Sequence, residues 1–423
     1  IIKNTFLYAN PVFNITFLNT LLLKHIRMLR VFLGIIGAWP AESMGGRLPM
    51  LERFLRKAIP FIAITFTFGI GYAIVRKSSN SDILFLGELI ITLFLGAMTI
   101  RGLIPSFPGY GKVSKIFFHS FHLINYRHKG GHFKQMYDVT DKVSYYFTIF
   151  ALCLMVFGMT LFNVSPFYNN LKHGAFSKNG IDENTTFQFS VYFMFPKFDS
   201  VDYFMPTTIV NFFLPCICAV AISGTDLFLS LMVFQIIAHS KVLKYNLEHL
   251  IGEDSVSQCS IHVLAVKRLS VQDNADIHDK LKDCVDHHRK IVDFTSDVSS
   301  FFGPVLGLNY IVHLVCCCLL LLEVSTGVIR FVPLACNTFG QLLVASVTFE
   351  VVGTETDKLP AAVYSTPWEL MDARNQKTAY LLLKMAQTPI QVTALGLTPV
   401  GVQTMAKLLK TIFSYFTFLR SMK

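Results

Sequence analysis

The clearest chemical pattern in the sequence is a polar stripe in its closing segment, residues 398–423. Five polar residues recur there at intervals of three, four, three and four, namely Lys407, Lys410, Ser414, Thr417 and Ser421. This spacing places all five on one face of a helix. The segment is otherwise mostly apolar, and a helix surrounded by lipid has no use for such a face, because unpaired polar groups in hydrocarbon are costly.

Two interpretations of this polar stripe stay open at this point. The helix lines an aqueous pore, so that the stripe faces water. Alternatively, the helix is buried in protein, its hydroxyls bond to carbonyls of their own helix, and its two lysines reach the membrane interface.

Motifs for catalysis are absent from the sequence, which has no GxSxG, HExxH, P-loop or dinucleotide-binding pattern. Its nine cysteines form no CxxC pair, which argues against structural zinc. His287 and His288 are adjacent and point to different faces, so they make a poor metal pair. His313 stands alone in an apolar run, and we interpret it as a packing residue rather than a base. We expect no enzyme activity, no catalytic residue, no metal and no cofactor.

Composition identifies the class of protein in which these residues must be positioned. Of 423 residues, 52% are hydrophobic and 15% are charged, whereas soluble domains carry about 25% charged residues. Mean hydropathy is +0.50. The net charge of +10 comes from basic residues in short segments between apolar runs, which indicates orientation in a membrane rather than a nucleic-acid partner.

Apolar runs predict an all-α bundle of seven transmembrane helices. The predicted spans are residues 58–75, 83–104, 143–164, 206–238, 298–322, 331–352 and, with its break, 389–423. Pro389, Gly396 and Pro399 interrupt the chain before the last helix, so the seventh span is split into a cytoplasmic and a membrane half.

Three further segments are predicted to be helical without crossing the membrane. Residues 31–38 are too few to span, and they fit a membrane-surface or core helix that ends at Trp39-Pro40. Residues 277–295 are amphipathic and extend the fifth span as a soluble helix. Residues 357–385 are also amphipathic and form one helix projecting below the membrane.

The distribution of Lys and Arg predicts the orientation. Eight occur in residues 1–57 and eight in residues 239–297, but only three in residues 165–205. This bias places the N-terminus in the cytoplasm and, after seven spans, the C-terminus outside. A glycosylation sequon at Asn184 then falls on an outer loop. The predicted domains are a cytoplasmic N-terminal segment (1–57), spans 1 to 4 (58–238), a cytoplasmic loop and helix (239–297), spans 5 and 6 (298–352), a cytoplasmic helix (353–388) and the last span (389–423).

Short motifs in a fixed order then resemble those of insect odorant receptors over the whole length. They are Gly37-Ala38-Trp39-Pro40, His287-His288, Gly353-Thr354-Glu355, Gln387-Thr388-Pro389, Ala394-Leu395-Gly396 and the closing Ser414-Tyr415-Phe416-Thr417-Phe418-Leu419-Arg420. The chain lacks the closing motif of the related gustatory receptors. The co-receptor of the family has a longer loop between spans 4 and 5, so this chain resembles a ligand-tuning subunit.

The resemblance implies an odorant-gated cation channel in the plasma membrane of sensory neuron dendrites. It implies a heterotetramer with the odorant co-receptor, joined by a cytoplasmic anchor at residues 353–388, with the last helices around the pore. Membrane lipid and a small volatile ligand are the other expected partners.

The same resemblance implies the pore residues. Phe418 and Met422 match the hydrophobic gate positions of the family, and Thr411 and Tyr415 continue that face inward. A constriction of apolar side chains blocks ions by dewetting. Lys407 and Lys410 fit a cation pore least well, unless they pair with carboxylates or lie at a wide inner vestibule.

The family binds its ligand among the outer halves of spans 2 to 6, where apolar walls with few polar contacts suit small volatile molecules. In this sequence the region offers Leu84, Glu88, Ile91, Met155, Met159, Phe162, Phe204, Thr208, Phe212, Leu320 and Asn337. For each of them, ordinary packing within the bundle is the competing interpretation. Glu88 either bonds a ligand hydroxyl or has a structural partner.

Two other functions remain as alternatives. A seven-helix G-protein-coupled receptor conflicts with the cytoplasmic N-terminus, and the sequence lacks Asp-Arg-Tyr after span 3 and Asn-Pro-x-x-Tyr in span 7. A membrane transporter is a weaker hypothesis, because the sequence shows neither internal repeats nor paired charges within the spans.

Overall fold

The structure, a computed structural model, describes residues 20–77, 83–176, 187–251, 269–325 and 331–421. These residues are helical almost throughout. The helices in chain order are α1 (Lys24–Ile35), α2 (Met50–Lys77), α3 (Ile83–Met98), α4 (Pro108–Ile116), α5 (Gly131–Lys172), α6 (Phe204–Glu248), α7 (Val271–Ser325), α8 (Val332–Thr356), α9 (Leu359–Tyr364), α10 (Ala373–Ala386) and α11 (Val402–Ser421).

Short irregular elements connect these helices. Two antiparallel hairpins pair β1 (Met194–Phe195) with β2 (Phe198–Asp199), and β3 (Thr393–Ala394) with β4 (Thr398–Pro399). The 3₁₀ turns are Glu42–Met44, Thr99–Ser106, Leu123–Lys129 and Trp368–Leu370, and one π turn covers Phe117–Phe121.

Six helical segments in the described ranges have the length and composition needed to cross a membrane: α2, α3 with its 3₁₀ extension, and α5 to α8. The shorter α11 has 20 residues, which include Lys407 and Lys410 and make it less apolar. The prediction of an all-α transmembrane bundle is confirmed, with six to seven apolar helices where seven spans were predicted. The side of the membrane on which each terminus lies stays a prediction, and the sequon at Asn184 lies outside the described residues.

Several helices continue well beyond the apolar runs that predicted them. The clearest case is α7, a single helix of 55 residues that joins the amphipathic segment 277–295 to the fifth span, as predicted. At 1.5 Å per residue it is roughly 80 Å long, more than twice the ~30 Å of bilayer hydrocarbon. A large part of α7 therefore lies outside the membrane.

The single helix predicted for residues 357–385 is wrong, because the chain breaks there. The short helix α9 ends at Tyr364, and Pro367 precedes a 3₁₀ turn. Asp372 then starts a new helix, since its carboxylate accepts a hydrogen bond of 2.8 Å from the backbone N–H of Asn375. This contact is an N-cap, and it separates α9 from α10.

The early Gly-Ala-Trp-Pro motif holds α1 in the core rather than on the membrane surface. The Trp39 side chain is fully buried, and its ring lies 5.5 Å from that of Phe118. Gly37 has φ +64°, and a Cβ on it would overlap the backbone of Arg56 and Glu52 in α2. Only glycine fits this position. Arg56 donates to the carbonyls of Gly37 and Trp39 at 2.9 and 3.1 Å.

The break predicted before the last helix is a hairpin docked on α7. Leu395 donates its backbone N–H to the carbonyl of Gly303 at 3.0 Å. A Cβ on Gly303 or Gly307 would overlap this hairpin, so the two glycines let it approach α7 closely. The Glu350 carboxylate of α8 then accepts from the backbone N–H of Val402 at 3.0 Å, at the start of α11.

A buried arginine ties three of the long segments together. Arg101 is 3% exposed and donates to the Asp226 carboxylate at 2.7 Å and to the Asn309 side-chain oxygen at 2.5 Å. It also donates to the Ile222 carbonyl and the Thr225 hydroxyl, both at 3.3 Å. The 3₁₀ extension of α3 is thereby joined to α6 and α7. We expected no paired charges within the spans, and this is wrong, because Arg101 and Asp226 meet although they lie far apart in sequence.

A histidine pair joins α6 and α7 beyond their predicted spans. His239 donates from Nε2 to the carbonyl of Phe121 at 2.6 Å, because a carbonyl can only accept. Its Nδ1 is therefore the acceptor for Nε2–H of His287 at 2.9 Å. In the described part of the chain no group of His, Cys, Asp and Glu is arranged to hold a metal. The two histidines make a structural contact.

We predict that Arg101→Met is strongly destabilising, because it leaves the Asp226 carboxylate without its cation. Breaking a fully buried ion pair from one side costs about 3–5 kcal/mol in free energy of unfolding, and we expect a loss near the lower end because the Asp226 side chain is 37% exposed in the single chain. The double variant Arg101→Met/Asp226→Leu should recover part of this loss. Thermal unfolding of the detergent-solubilised protein measures both, with the exposed Arg76→Met as control. Equal effects of Arg101→Met and Arg76→Met would contradict the prediction.

We predict that the fold loses stability in mild acid through His287, which lies outside the predicted spans. Burial, and then the neighbouring His239 and Lys290, lower the pKa of His287 well below 6.5. The folded protein keeps this ring neutral where the unfolded chain binds a proton. The contribution is complete above pH 6.5 and falls by up to about 1.4 kcal/mol per pH unit below it. Unfolding temperatures at pH 7.5 and 5.5 should differ less in His287→Asn than in the wild type or in the exposed control His173→Asn; an unreduced difference would refute this assignment.

Candidate functional site

A cavity of about 120 Å³ lies between the six long helices. For comparison, an engineered apolar cavity of ~150 Å³ holds benzene. Each long helix supplies part of the wall. The lining includes Phe66 and Ile70 of α2, Thr92 and Leu95 of α3, Met155 and Met159 of α5, Leu214 and Cys218 of α6, Asn309 and His313 of α7, and Leu334 and Asn337 of α8. The cavity therefore has the size of one small organic molecule.

The wall is made mainly of apolar side chains, among them the aromatic ring of Phe66 and the thioethers of Met155 and Met159. Thioethers are flexible and adapt to ligands of different shape. Gly158 is also part of the wall, and a Cβ there would lie 3.3 Å from the side chain of Asn337. This glycine lets the amide of Asn337 reach the cavity.

Several polar groups in the wall are already paired within the protein. The hydroxyl of Thr92 donates to the carbonyl of Leu89 at 2.9 Å, and that of Thr338 donates to the carbonyl of Leu334 at 2.8 Å. The side-chain oxygen of Asn309 accepts from Arg101. These groups shape the cavity without demanding a partner from a ligand.

Four of the predicted ligand-binding residues are brought together in this wall: Met155, Met159, Phe162 and Asn337. The side chain of Leu84 is outside what the structure describes. The remaining predicted residues are not among those lining the cavity.

Ile91 and Leu320 are almost fully buried in a neighbouring apolar cluster. Glu88 lies one turn before the lining residue Thr92, while Phe204 and Thr208 lie at the start of α6, before its first lining residue Leu214.

Phe212 is 61% exposed on the outside of the bundle. It precedes the lining residue Leu214 by two positions, which is about 200° around a helix. The predicted pocket residues were chosen by their depth in the membrane. Depth does not determine which face of α6 turns toward the inside of the bundle. The spacing of four residues from Leu214 to Cys218 and from Cys218 to Ile222 is the signal that was available.

Sequence reasoning also missed parts of the wall. It began the pocket at span 2, whereas Phe66 and Ile70 come from the first span. Val191 reaches the cavity from the segment before β1, where no periodic pattern pointed to it. His313 was interpreted as a packing residue, but it lines the cavity.

The predicted pore residues lie on an uncovered face of α11. Thr411 is exposed, and Tyr415 and Phe418 are 55% and 58% exposed. Ile412 is fully buried against Cys317 and Cys318 of α7. Met422 lies outside the described residues.

Hydroxyls on the polar stripe bond to their own helix. Thr417 donates to the carbonyl of Ser414, and Ser421 donates to that of Phe418. This bonding was expected of a buried helix, yet Lys407, Lys410, Ser414, Thr417 and Ser421 are all exposed in the single chain. The stripe therefore faces away from the rest of the subunit.

Comparison with known proteins gives a family for this architecture. The family model described as 7tm Odorant receptor matches residues 125–413. Odorant receptor 13a of Drosophila melanogaster is 24% identical over 161 residues, which cover 34% of this chain and 38% of that protein. Odorant receptor 10 of Aedes albopictus is 26% identical over 152 residues, which cover 35% of this chain and 40% of that protein. The aligned stretches thus span about two-fifths of the length of these relatives.

The fold is similar to that of the olfactory receptor OR5 of the insect Machilis hrabei. The TM-score is 0.71 at 16% sequence identity, covering 96% of this chain and all of that one. The structure of the same receptor in complex with eugenol superposes with a TM-score of 0.72. At 16% identity, the structural similarity establishes the fold alone. The match to the odorant receptor family model covers more than half of the chain. The chain therefore belongs to the insect odorant receptor family and is a multi-pass membrane protein.

Proposed function

We propose that this chain is the ligand-binding subunit of an odorant-gated cation channel. It would bind small volatile molecules in the cavity between α2, α3 and α5 to α8, and it would open a pore lined by α11. The observation that carries the proposal is this cavity, to which all six long helices contribute. The eugenol complex of the Machilis hrabei receptor supports it by analogy.

Binding in such a cavity draws mainly on burial of apolar surface, at roughly 25 cal/mol per Å². A ligand favours opening only by the difference between its affinities for the open and closed states. Because every long helix touches the cavity, a small change in helix packing alters the fit of the ligand. A rearrangement of the helices would therefore change the affinity of the cavity for its ligand.

A direct route connects the cavity to α11. His313 of α7 lines the cavity, and Cys317 lies one helical turn further along the same helix. Cys317 packs against Ile412 of α11 in one apolar cluster. If ligand binding shifts α7, the shift would reach α11 through the contact of Cys317 with Ile412, one helical turn from His313.

The uncovered face of α11 supports the pore assignment. This face carries the exposed polar stripe with Lys407 and Lys410, which lipid would not satisfy, so a stable membrane assembly would cover it or place it around an aqueous axis. In a tetramer with the odorant co-receptor, four such helices would surround a pore, and rings of Phe418 and Met422 would close it by dewetting. Lys407 and Lys410 would then lie at the inner vestibule.

The same proposal assigns the remaining parts of the chain. The plasma membrane of sensory neuron dendrites is the proposed location, with the N-terminus in the cytoplasm and the C-terminus outside. Residues 353–388 would form the cytoplasmic anchor between subunits. Trp368 lies in this segment and is 41% exposed, so its ring is available for such a contact.

We predict that Met159→Ala changes the ranking of ligands, because it enlarges one wall of the cavity. The measurement is the current evoked by a panel of volatile compounds in cells that co-express the odorant co-receptor. Phe212→Leu alters a large side chain outside the wall and is the matched control. If no volatile evokes a current in the wild type, the proposed function is wrong. An identical ranking in wild type and Met159→Ala would count against this cavity alone.

We predict that Phe418→Ala raises the current in the absence of ligand or changes ion permeation, because a smaller side chain weakens the dewetted barrier. Phe413→Ala is the control, since Phe413 is similarly exposed but lies on a different face of α11. Whole-cell currents with and without ligand compare the two variants. Unchanged currents in Phe418→Ala, or equal changes in both variants, would rule out the gate assignment.

A further inference from the structure

His313 has one ring nitrogen whose role is determined by its own helix. Its side chain is buried in α7, 6% exposed, and lines the cavity. Nδ1 lies 2.7 Å from the backbone carbonyl oxygen of Asn309, one turn earlier. A carbonyl oxygen can only accept a hydrogen bond, so Nδ1 carries the proton. In a neutral imidazole the other nitrogen is then an acceptor.

The acceptor nitrogen Nε2 of His313 has no hydrogen-bond partner in the part of the chain that the structure describes. Nδ1 is directed at the backbone of its own helix, so Nε2 points away from that backbone. A second buried atom in the cavity wall is also unpartnered among the described residues, namely the side-chain oxygen Oδ1 of Asn337. Both of these unpartnered wall atoms are acceptors.

A buried acceptor without a partner costs free energy that a ligand can recover by donating a hydrogen bond. The neutral form of His313 is favoured, because an unpaired charge in an apolar wall costs far more than an unpaired lone pair. The wall therefore offers acceptors at His313 and Asn337 to whatever enters. Alkanes, ethers and esters carry no hydrogen-bond donor, whereas alcohols and phenols do.

We propose that the cavity is selective for hydroxyl-bearing ligands, alcohols or phenols, and that Nε2 of His313 is the specificity-determining acceptor of the ligand O–H. This inference rests on the proposed odorant-binding function and names the ligand class of the same site. The cavity volume of about 120 Å³ restricts the ligand to roughly the size of a substituted benzene or a short-chain alcohol. A site built to bind a hydroxyl rejects the analogue that lacks it more strongly than apolar walls reject an altered skeleton.

Isomeric ligand pairs test the proposal, because they match in atoms and differ in the O–H group. The probes are p-cresol with anisole, and 1-butanol with methyl propyl ether. Currents are recorded from cells that co-express the full chain and the co-receptor. We expect the hydroxyl isomer to be about tenfold more potent in the wild type, the effect of one buried hydrogen bond and its unmet acceptor.

Three variants locate the effect. His313→Leu removes the acceptor, and the potency ratio should fall to roughly twofold or less. His313→Gln restores a side-chain acceptor and should keep most of the ratio. Thr295→Val is the matched control in α7: its hydroxyl is also buried and unpartnered among the described residues, but it does not line the cavity. This control should retain the wild-type ratio.

Binding is measured separately from gating by the rise in unfolding temperature of the purified wild-type protein with each probe. Greater stabilisation by p-cresol than by anisole supports the proposal. Equal potency and equal stabilisation by both isomers would overturn the hydroxyl preference while leaving odorant binding intact. A preference for the ethers would show that Nε2 is a donor, and it would also overturn the proposal. If no volatile compound binds or evokes current, the proposed function itself fails.

Discussion

The ion pair between Arg101 and Asp226 is the constraint on which the arrangement of the bundle depends. Lipid offers no hydrogen bonds, so an arginine inside a span must find all of its partners within the protein. Arg101 finds partners for its two terminal nitrogens on α6 and α7, whereas its Nε has none among the described residues, and its bond to Asn309 lies at the edge of the cavity. The charge that joins these helices thus also positions one polar residue of the wall. Its partners are held by direct bonds, which suits a structural role better than ion transport.

The cavity and the last helix are two regions of one mechanical unit centred on α7. The same helix carries His313 in the cavity wall and Cys317 against α11, and it receives the hairpin that precedes α11. Membership of this receptor family confirms the expectation that the chain is not an enzyme.

Much of the fold could be predicted from the sequence, because apolar runs must be helical in a membrane. The continuous helix through residues 277–322 and the break near Gly396 are examples. Long-range partners could not be predicted in the same way: nothing in the sequence pairs Arg101 with Asp226. In the site, Met159 followed from its depth in a span, whereas Phe212 did not line the cavity because depth leaves the rotation of a helix undetermined. His313 was missed because a lone histidine forms no sequence pattern. Its proposed role depends on which of its two ring nitrogens bonds to the backbone carbonyl of Asn309.

The length of α7 has a consequence for how far a small change can travel. This helix runs from Val271 to Ser325 and contains Pro304, which removes one backbone hydrogen bond from it. It acts as a lever that passes the cavity near one end and reaches beyond the bilayer at the other. For a rod roughly 80 Å long, a tilt of about 3° displaces the far tip by about 4 Å. A molecule of the size of a substituted benzene could therefore produce, at the opposite end of the lever, a motion comparable to its own radius.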